Sequence, residues 1–306
     1  MKTTPNNRNC YTGKIADSGL TIDIDAPAKI NLFLKVTGKR PDGYHNIFSW
    51  FQALDLADSI KITKIPGNDI KIKTNHPDVP EDESNLVCKA IRLMQDRFSL
   101  DSGFQINLEK NIPVAAGLGG GSSDAASAIK GLNRLFNLGL SSQKMSKIGQ
   151  KIGSDVPFFF SSGQAEVSGR GEIVKNIVLP TDYWVLLVTP RFAIRASEAY
   201  ERLKLDLTEP LDNCNFTCCR KASELFEVIS DVANDLERAL RSAHPLLGEI
   251  NDKLANTRAG VVRLSGSGPT VFALFDNDAL LEKEFASSFV GKGLDWRFAN
   301  PVILPH

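Results

Sequence analysis

Apolar and polar positions alternate over residues 20–25 and again over 28–37, which predicts two strands. In the second, KINLFLKV, the side chains of Ile30, Leu32, Leu34 and Val36 would share one face. Lys29 and Asn31 would then lie together on the other. GKRPDGYH is dense in turn formers and reads as a loop. DSIKITKI and DIKIKT predict two further strands around a Pro-Gly-Asn turn. Residues 85–98 carry apolar side chains at helical spacing, and 103–109 return to alternation. A helix is predicted from Ala125 to Phe136, with Ile129, Leu132 and Leu135 or Phe136 on its stripe. Another spans 141–152, capped by Ser141 or Ser142 and ended by Gly153. QAEVSGRGEIV reads as a hairpin.

Near residue 180 the pattern restarts. YWVLLV predicts a short buried strand, followed by helices near 197–204, 219–230, 234–241 and 245–256. VVRLSGSGPTVFALF reads as strand, glycine turn and strand, and the chain closes with a helix at 278–289 and a strand at 294–299. Strands and helices mix without strict βαβ alternation, so the expected class is α+β. The expected organisation is an extension at 1–19, one domain at 20–179 and a second at 180–306. No internal repeat or low-complexity tract interrupts it.

Composition narrows the function classes. The chain has 306 residues with 36 basic against 36 acidic side chains, so the basic surplus of a nucleic-acid binder is missing. No apolar run approaches the ~20 residues of a membrane span. The opening segment is polar, without the apolar centre of a signal peptide. Cys214, Cys218 and Cys219 cluster, but no second CxxC or His pair completes a tetrahedral set, so free thiols in a reducing cytoplasm are expected.

The chemistry concentrates in PVAAGLGGGSSD at 113–124, where Gly117, Gly119, Gly120 and Gly121 fall within five residues. Glycine permits the tight, partly left-handed backbone that turns several N–H groups inward, and the missing side chains let phosphate oxygens approach. The helix that follows adds its free N-terminal N–H groups and the positive end of its dipole. Ser122 and Ser123 can cap that helix, bond phosphate or ligate a metal ion. A dinucleotide fingerprint from Gly117 would need glycine where Ser122 stands. A Walker A loop would need Ser or Thr after Gly-Lys, and the three Gly-Lys pairs precede Ile15, Arg40 and Gly293.

Three segments in order, APAKINL at 26–32, PVAAGLGGGSSDAA and RLSGSGPTVFALF at 263–275, resemble the motifs of the GHMP kinases. APAKINLFLKVTGKRPDGYHNI, GLGGGSSDAA, GSDVPFFF, SGRGE and NDLE at 234–237 resemble the branch that phosphorylates a CDP-alcohol in non-mevalonate isoprenoid synthesis. The resemblance implies a two-domain α+β GHMP-kinase fold with its active site in the cleft between the domains. It implies ATP as co-substrate, Mg2+ with it, and a CDP-alcohol acceptor, with no nucleic-acid or membrane partner and a monomer or weak homodimer.

The same resemblance assigns catalysis to Lys29 and Asp155, the latter as general base. It assigns ATP binding to Pro113, Val114, Ala115, Ala116, Gly117, Leu118, Gly119, Gly120, Gly121, Ser122 and Ser123. Substrate binding falls to Asn31, Tyr44, His45, Gly266, Ser267 and Gly268. Ser123 is the candidate oxygen for Mg2+, and Phe192 is a candidate to stack on the base opposite Tyr44. Arg195-Ala196 departs from the Ser/Thr-rich stretch of related enzymes. The competing readings are a homoserine or sugar kinase and a non-catalytic nucleotide-binding regulator.

Overall fold

The computed structural model describes residues 14–15, 20–203, 219–276 and 294–305. The helix expected at 278–289, Cys214, Cys218 and most of 1–19 lie outside those residues. Among the described residues no helix is long and apolar enough to cross a membrane.

The two strands expected at 20–25 and 28–37 are one strand, β2 (Thr21–Lys39), following the short β1 (Lys14–Ile15). It runs antiparallel to β3 (His45–Ile65), with register shifts at Pro27/Lys29, Asn31/Phe33 and Val36/Gly38. Pro27 has no N–H to give a ladder, and an irregularity there lets the strand continue. The shift beyond Asn31 breaks the expected alternation. Ile30, Leu32 and Phe33 enter one apolar cluster, while Leu34 and Val36 enter another.

The strands β4 (Ile70–Thr74) and β3 do not form the hairpin that the Pro-Gly-Asn turn suggests. β5 (Gly103–Glu109) lies between them, antiparallel to β3 and parallel to β4. A parallel pair needs a crossover, and α1 (Leu86–Phe98) supplies it. The Asn85 side chain caps this helix by accepting from the Val87 N–H at 2.9 Å. The hairpin β6 (Gln164–Gly169) and β7 (Ile173–Asn176) joins the same sheet through β3. Against it pack α2 (Gly120–Leu135), α3 (Ser142–Gly149) and a 3-10 helix (Val156–Phe160).

A second, antiparallel sheet has the order β11-β8-β10-β9, from Leu294–Ala299, Trp184–Pro190, Val271–Phe275 and Val261–Leu264. With it come α4 (Ala196–Glu201), α5 (Ala222–Ser230), α6 (Glu237–Ala243) and α7 (Pro245–Ala255). An apolar cluster joins the two sheets, with Ile30, Leu32 and Trp50 meeting Val185, Leu187 and Phe272. The chain end then returns to the first sheet. The Val302 N–H donates to the Ala53 carbonyl at 3.0 Å, and Leu304 is buried in the first core.

Candidate active site

The glycine loop holds left-handed backbone at Gly117 (φ 77°) and Gly119 (φ 73°), conformations that strain a residue with a Cβ. Close approach reinforces the requirement. A Cβ on Gly119 would sit 2.9 Å from Lys29 Cγ, and one on Gly117 would collide with the Ser265 carbonyl. The helix starts earlier than Ala125. Gly119 is the N-cap and Gly120 the first helical residue, without a side-chain cap. Ser122 and Ser123 are therefore inside the first turns and are not caps, so the first backbone N–H groups have no side-chain partner competing for them.

Two cavities meet at this loop. The smaller, about 340 Å3, is lined by every residue from Pro113 to Ser122, with Lys110, Asp124 and the segments 78–80 and 84–86. The larger, about 900 Å3, is lined by Lys29, Asn31, Tyr44, His45, Asp155 and Arg170, among others. Gly117, Gly119 and Ser122 line both. Ser123 lines neither; it is wholly buried, and its hydroxyl has no hydrogen-bond partner among the described residues.

In the larger cavity the Lys29 ammonium donates to Asn31 Oδ1 at 2.7 Å, lies 3.4 Å from Asp155 Oδ2 and sits 4.4 Å over the Phe51 ring. Asn31 in turn donates to Ser49 Oγ at 3.1 Å, and Ser49 donates to the Phe33 carbonyl. The Lys29 side chain is 4% exposed against 32% for Asp155, so the cation is fixed from behind while the carboxylate faces the cavity. Asp155 immediately precedes the 3-10 helix Val156–Phe160, whose three phenylalanines are buried and hold that turn. The Lys29 N–H donates to the Leu118 carbonyl at 2.9 Å, tying β2 to the glycine loop.

The late glycine turn closes on the same place. Ser265 Oγ donates to the Gly117 carbonyl at 3.0 Å, and Gly266 and Ser267 line the larger cavity. Gly268 is not in that lining; its N–H donates to the Ser265 carbonyl at 2.8 Å and shuts the turn. Farther along the cavity, Tyr44 is 54% exposed with the Arg170 guanidinium 4.9 Å from its ring centre. His45 stacks on Tyr200, with centroids 4.9 Å apart and planes 11° apart. Burial, aided by Lys39, holds the His45 imidazole below its usual pKa, which favours the neutral ring with one donor and one acceptor.

Beneath the loop is a buried ionic group that the sequence patterns did not single out. Lys110 pairs with Asp58 and, at 2.6 Å, with Asp124. Asp58 also accepts from the Asn111 and Ile112 N–H groups at 2.6 and 2.8 Å. Burial pushes the Asp124 carboxyl above its usual range, with Lys110 opposing and Asp58 adding to the shift. Burial works against the Lys110 charge, but the two carboxylates outweigh it and raise its pKa. The group ties β3, the end of β5 and α2 together at the root of the loop. Its members are far apart in sequence, so no local motif signals it.

A relative from Exiguobacterium sibiricum, named 4-diphosphocytidyl-2-C-methyl-D-erythritol kinase, is 40% identical over 85% of this chain and 91% of its own length. One of the same name from Bacillus subtilis is 40% identical over 84% of this chain and 89% of its own. The chain belongs to the 4-diphosphocytidyl-2-C-methyl-D-erythritol kinases. The GHMP kinases N terminal domain matches residues 85–163, and the GHMP kinases C terminal family matches 218–287. The fold class is thus the mixed helix-and-sheet GHMP-kinase fold, and the activity is that of a phosphotransferase with ATP as co-substrate. A crystal structure of 4-(cytidine 5'-diphospho)-2C-methyl-D-erythritol kinase superposes with a TM-score of 0.72, at 26% identity over 92% of this chain and 99% of that one. A homoserine kinase from Cytophaga hutchinsonii, 15% identical with a TM-score of 0.67 over 96% and 98% of the two chains, shares the fold.

One expectation in the second half changes. Phe192 does not face Tyr44; it stacks on His244 with centroids 5.2 Å apart and is absent from the cavity lining. Tyr200, one turn into α4, is the aromatic residue there instead. Arg195 is the N-cap of α4 without a side-chain hydrogen bond, so Arg195-Ala196 costs that helix the cap a Ser or Thr would provide. The available signal for it was an aromatic residue inside the helix expected at 197–204.

Proposed function

We propose that this chain phosphorylates the 2-hydroxyl of 4-diphosphocytidyl-2-C-methyl-D-erythritol with ATP, giving the 2-phosphate and ADP on the non-mevalonate route to isopentenyl diphosphate. The observation that carries the reading is the Lys29–Asp155 pair, 3.4 Å apart, in a cavity that shares the glycine loop with a second cavity. In this reading the smaller cavity takes ATP and the larger takes the acceptor. The γ-phosphate lies between them, at Gly117, Gly119 and Ser122.

Asp155 accepts the proton of the acceptor hydroxyl as the new oxygen–phosphorus bond forms and the bond to the ADP oxygen breaks. Lys29 and the free N–H groups at the start of α2 compensate the charge on the moving group. Asn31 holds Lys29 in place. Tyr44, His45 and Tyr200 surround the cytosine, since aromatic rings offer a stacking face and a neutral imidazole one donor and one acceptor. Gly266 and Ser267 bound the acceptor from the opposite side.

Mg2+ belongs to the proposal as the partner of the triphosphate, whose charge it would neutralise when bound. Ser122, which lines both cavities, is the serine placed to hold it, because Ser123 is buried away from them. The reading also takes the enzyme as a cytoplasmic monomer or weak homodimer. It takes 20–179 and 180–306 as the two domains, since the first sheet ends at Asn176 and the second starts at Trp184.

The test is ATP-dependent turnover of the CDP-alcohol by the wild type and by Asp155→Asn. The variant is expected to lose at least ~10²-fold in rate while still binding nucleotide, as befits a lost general base. Equal rates would remove Asp155 from the mechanism. Phosphorylation of homoserine but not of the CDP-alcohol would replace the acceptor.

A further inference from the structure

NDLE at 234–237 lines neither cavity, yet it holds a wall of the larger one from both sides. Asn234 is buried, and its side-chain amide donates to the Leu264 carbonyl at 2.9 Å and to the Gly266 carbonyl at 2.8 Å. Its Oδ1 accepts from the Leu236 N–H at 3.0 Å. Both amide hydrogens are thus spent on the late glycine turn.

Asp235 faces the other way. Its N–H donates to the Leu34 carbonyl at 2.9 Å, and its carboxylate accepts from the Val36 N–H at 2.8 Å and from Lys35 Nζ at 2.9 Å. Glu237 adds a third tie by accepting the Leu264 N–H at 3.1 Å. The segment therefore links β2, which carries Lys29 and Asn31, to the turn that closes over them. Contact at that closure is tight. A Cβ on Gly266 would lie 3.1 Å from Asn31 Oδ1 and 3.6 Å from Lys29 Nζ.

We propose that Asn234 is a positioning residue for phosphoryl transfer, setting the height of the turn 265–268 over Lys29 and Asn31 through its bonds to the Leu264 and Gly266 carbonyls. The inference rests on the reading of that turn and of Lys29 as parts of the acceptor site. Asn234 touches neither substrate; it acts through Gly266. Asp235 supplies the fixed end by anchoring the segment to β2.

The informative variant is Asn234→Asp, which keeps the shape and the acceptor oxygen but turns an oxygen toward two carbonyl oxygens. With 4-diphosphocytidyl-2-C-methyl-D-erythritol as acceptor, kcat/KM should fall about 10–100-fold, the usual effect of losing a group that orients a catalytic residue. ATP affinity measured by direct binding should stay within about threefold, because Asn234 bonds the Gly266 carbonyl and Gly266 lines the larger cavity but not the smaller. Gly266→Ala should give the same split. The double variant should lose little more than either single one, as for two changes acting through one turn.

A folded Asn234→Asp enzyme with wild-type acceptor kinetics overturns the proposal. So does an equal loss of ATP affinity, or fully additive losses in the double variant. Where Asn234→Asp does not fold, Asn234→Ser keeps one donor and is judged by the same split. Wild-type protein that leaves the CDP-alcohol unphosphorylated overturns the proposed function and this inference together. Active wild type with an unaffected Asn234 variant overturns this inference alone.

Discussion

At the scale of single residues, the site separates groups that are held from groups that are free to meet a ligand. Lys29 is nearly covered and bonded to Asn31, so its position is set before any substrate arrives, and preorganised charge of this kind costs no rearrangement during reaction. Tyr200 is the corresponding case at the proposed base site. It is held by the stack on His45 and is half-buried on α4. Tyr200→Ala should raise KM for the CDP-alcohol about 10–100-fold, since losing an aromatic stacking face usually costs ~1–3 kcal/mol per base. KM for ATP should hold. An equal rise for both substrates in steady-state kinetics would show that Tyr200 is a structural residue only.

At the scale of the element, α2 combines two demands that conflict. Its N-terminus carries no side-chain cap, as the proposed phosphate site there requires, while its body packs on the first sheet. Lys130, in the middle of that helix, carries the cost of the packing. Burial, with Arg134 adding, pulls its pKa down to about 8, and its ammonium lies 5.8 Å from the Phe160 ring centre. A lysine whose folded pKa is depressed destabilises the fold while protonated, and stability rises with pH between the folded value and the unfolded 10.5. Lys130→Met should therefore raise Tm at pH 7 by roughly 2–4 °C, the shift that about 1 kcal/mol produces in a chain of this size. The advantage should shrink as thermal melts are repeated toward pH 10. A gain that grows with pH would contradict the sign.

At the scale of the whole molecule, the two sheets are joined by the apolar cluster between them, by the segment 234–237 and by the chain end. Residues 301–304 leave β11, pair Pro301 with Leu54, and bury Leu304 under the first sheet beside Gly163. A Cβ on Gly163 would lie 2.9 Å from Leu304 Cγ, so the fit is close. Leu304→Ala should cost about 2–5 kcal/mol, the range for truncating a buried leucine. Denaturant midpoints would measure it, and a loss under about 0.5 kcal/mol, ordinary for surface positions, would mean the tail is dispensable.

What the sequence determined by itself was local. The glycine loop, the strand that carries Lys29 and Asn31, the helix at 85–98 and Asp155 in its short turn depend on neighbouring residues, and backbone chemistry within a few positions decides them. Tertiary structure decided whatever joins distant segments. β5 between β3 and β4 needs a crossover that no turn residue announces. Lys110 becomes important only because Asp58 and Asp124 meet it, and Tyr200 replaces Phe192 because α4 starts where it does. Asn234 reads as the first residue of a helix expected at 234–241 and as part of NDLE; its two bonds to the Leu264 and Gly266 carbonyls exist only once β2 and β9 are brought together. Long-range pairing of this kind carries little local signal, because the free energy that selects it comes from burial shared among segments that the chain order keeps apart.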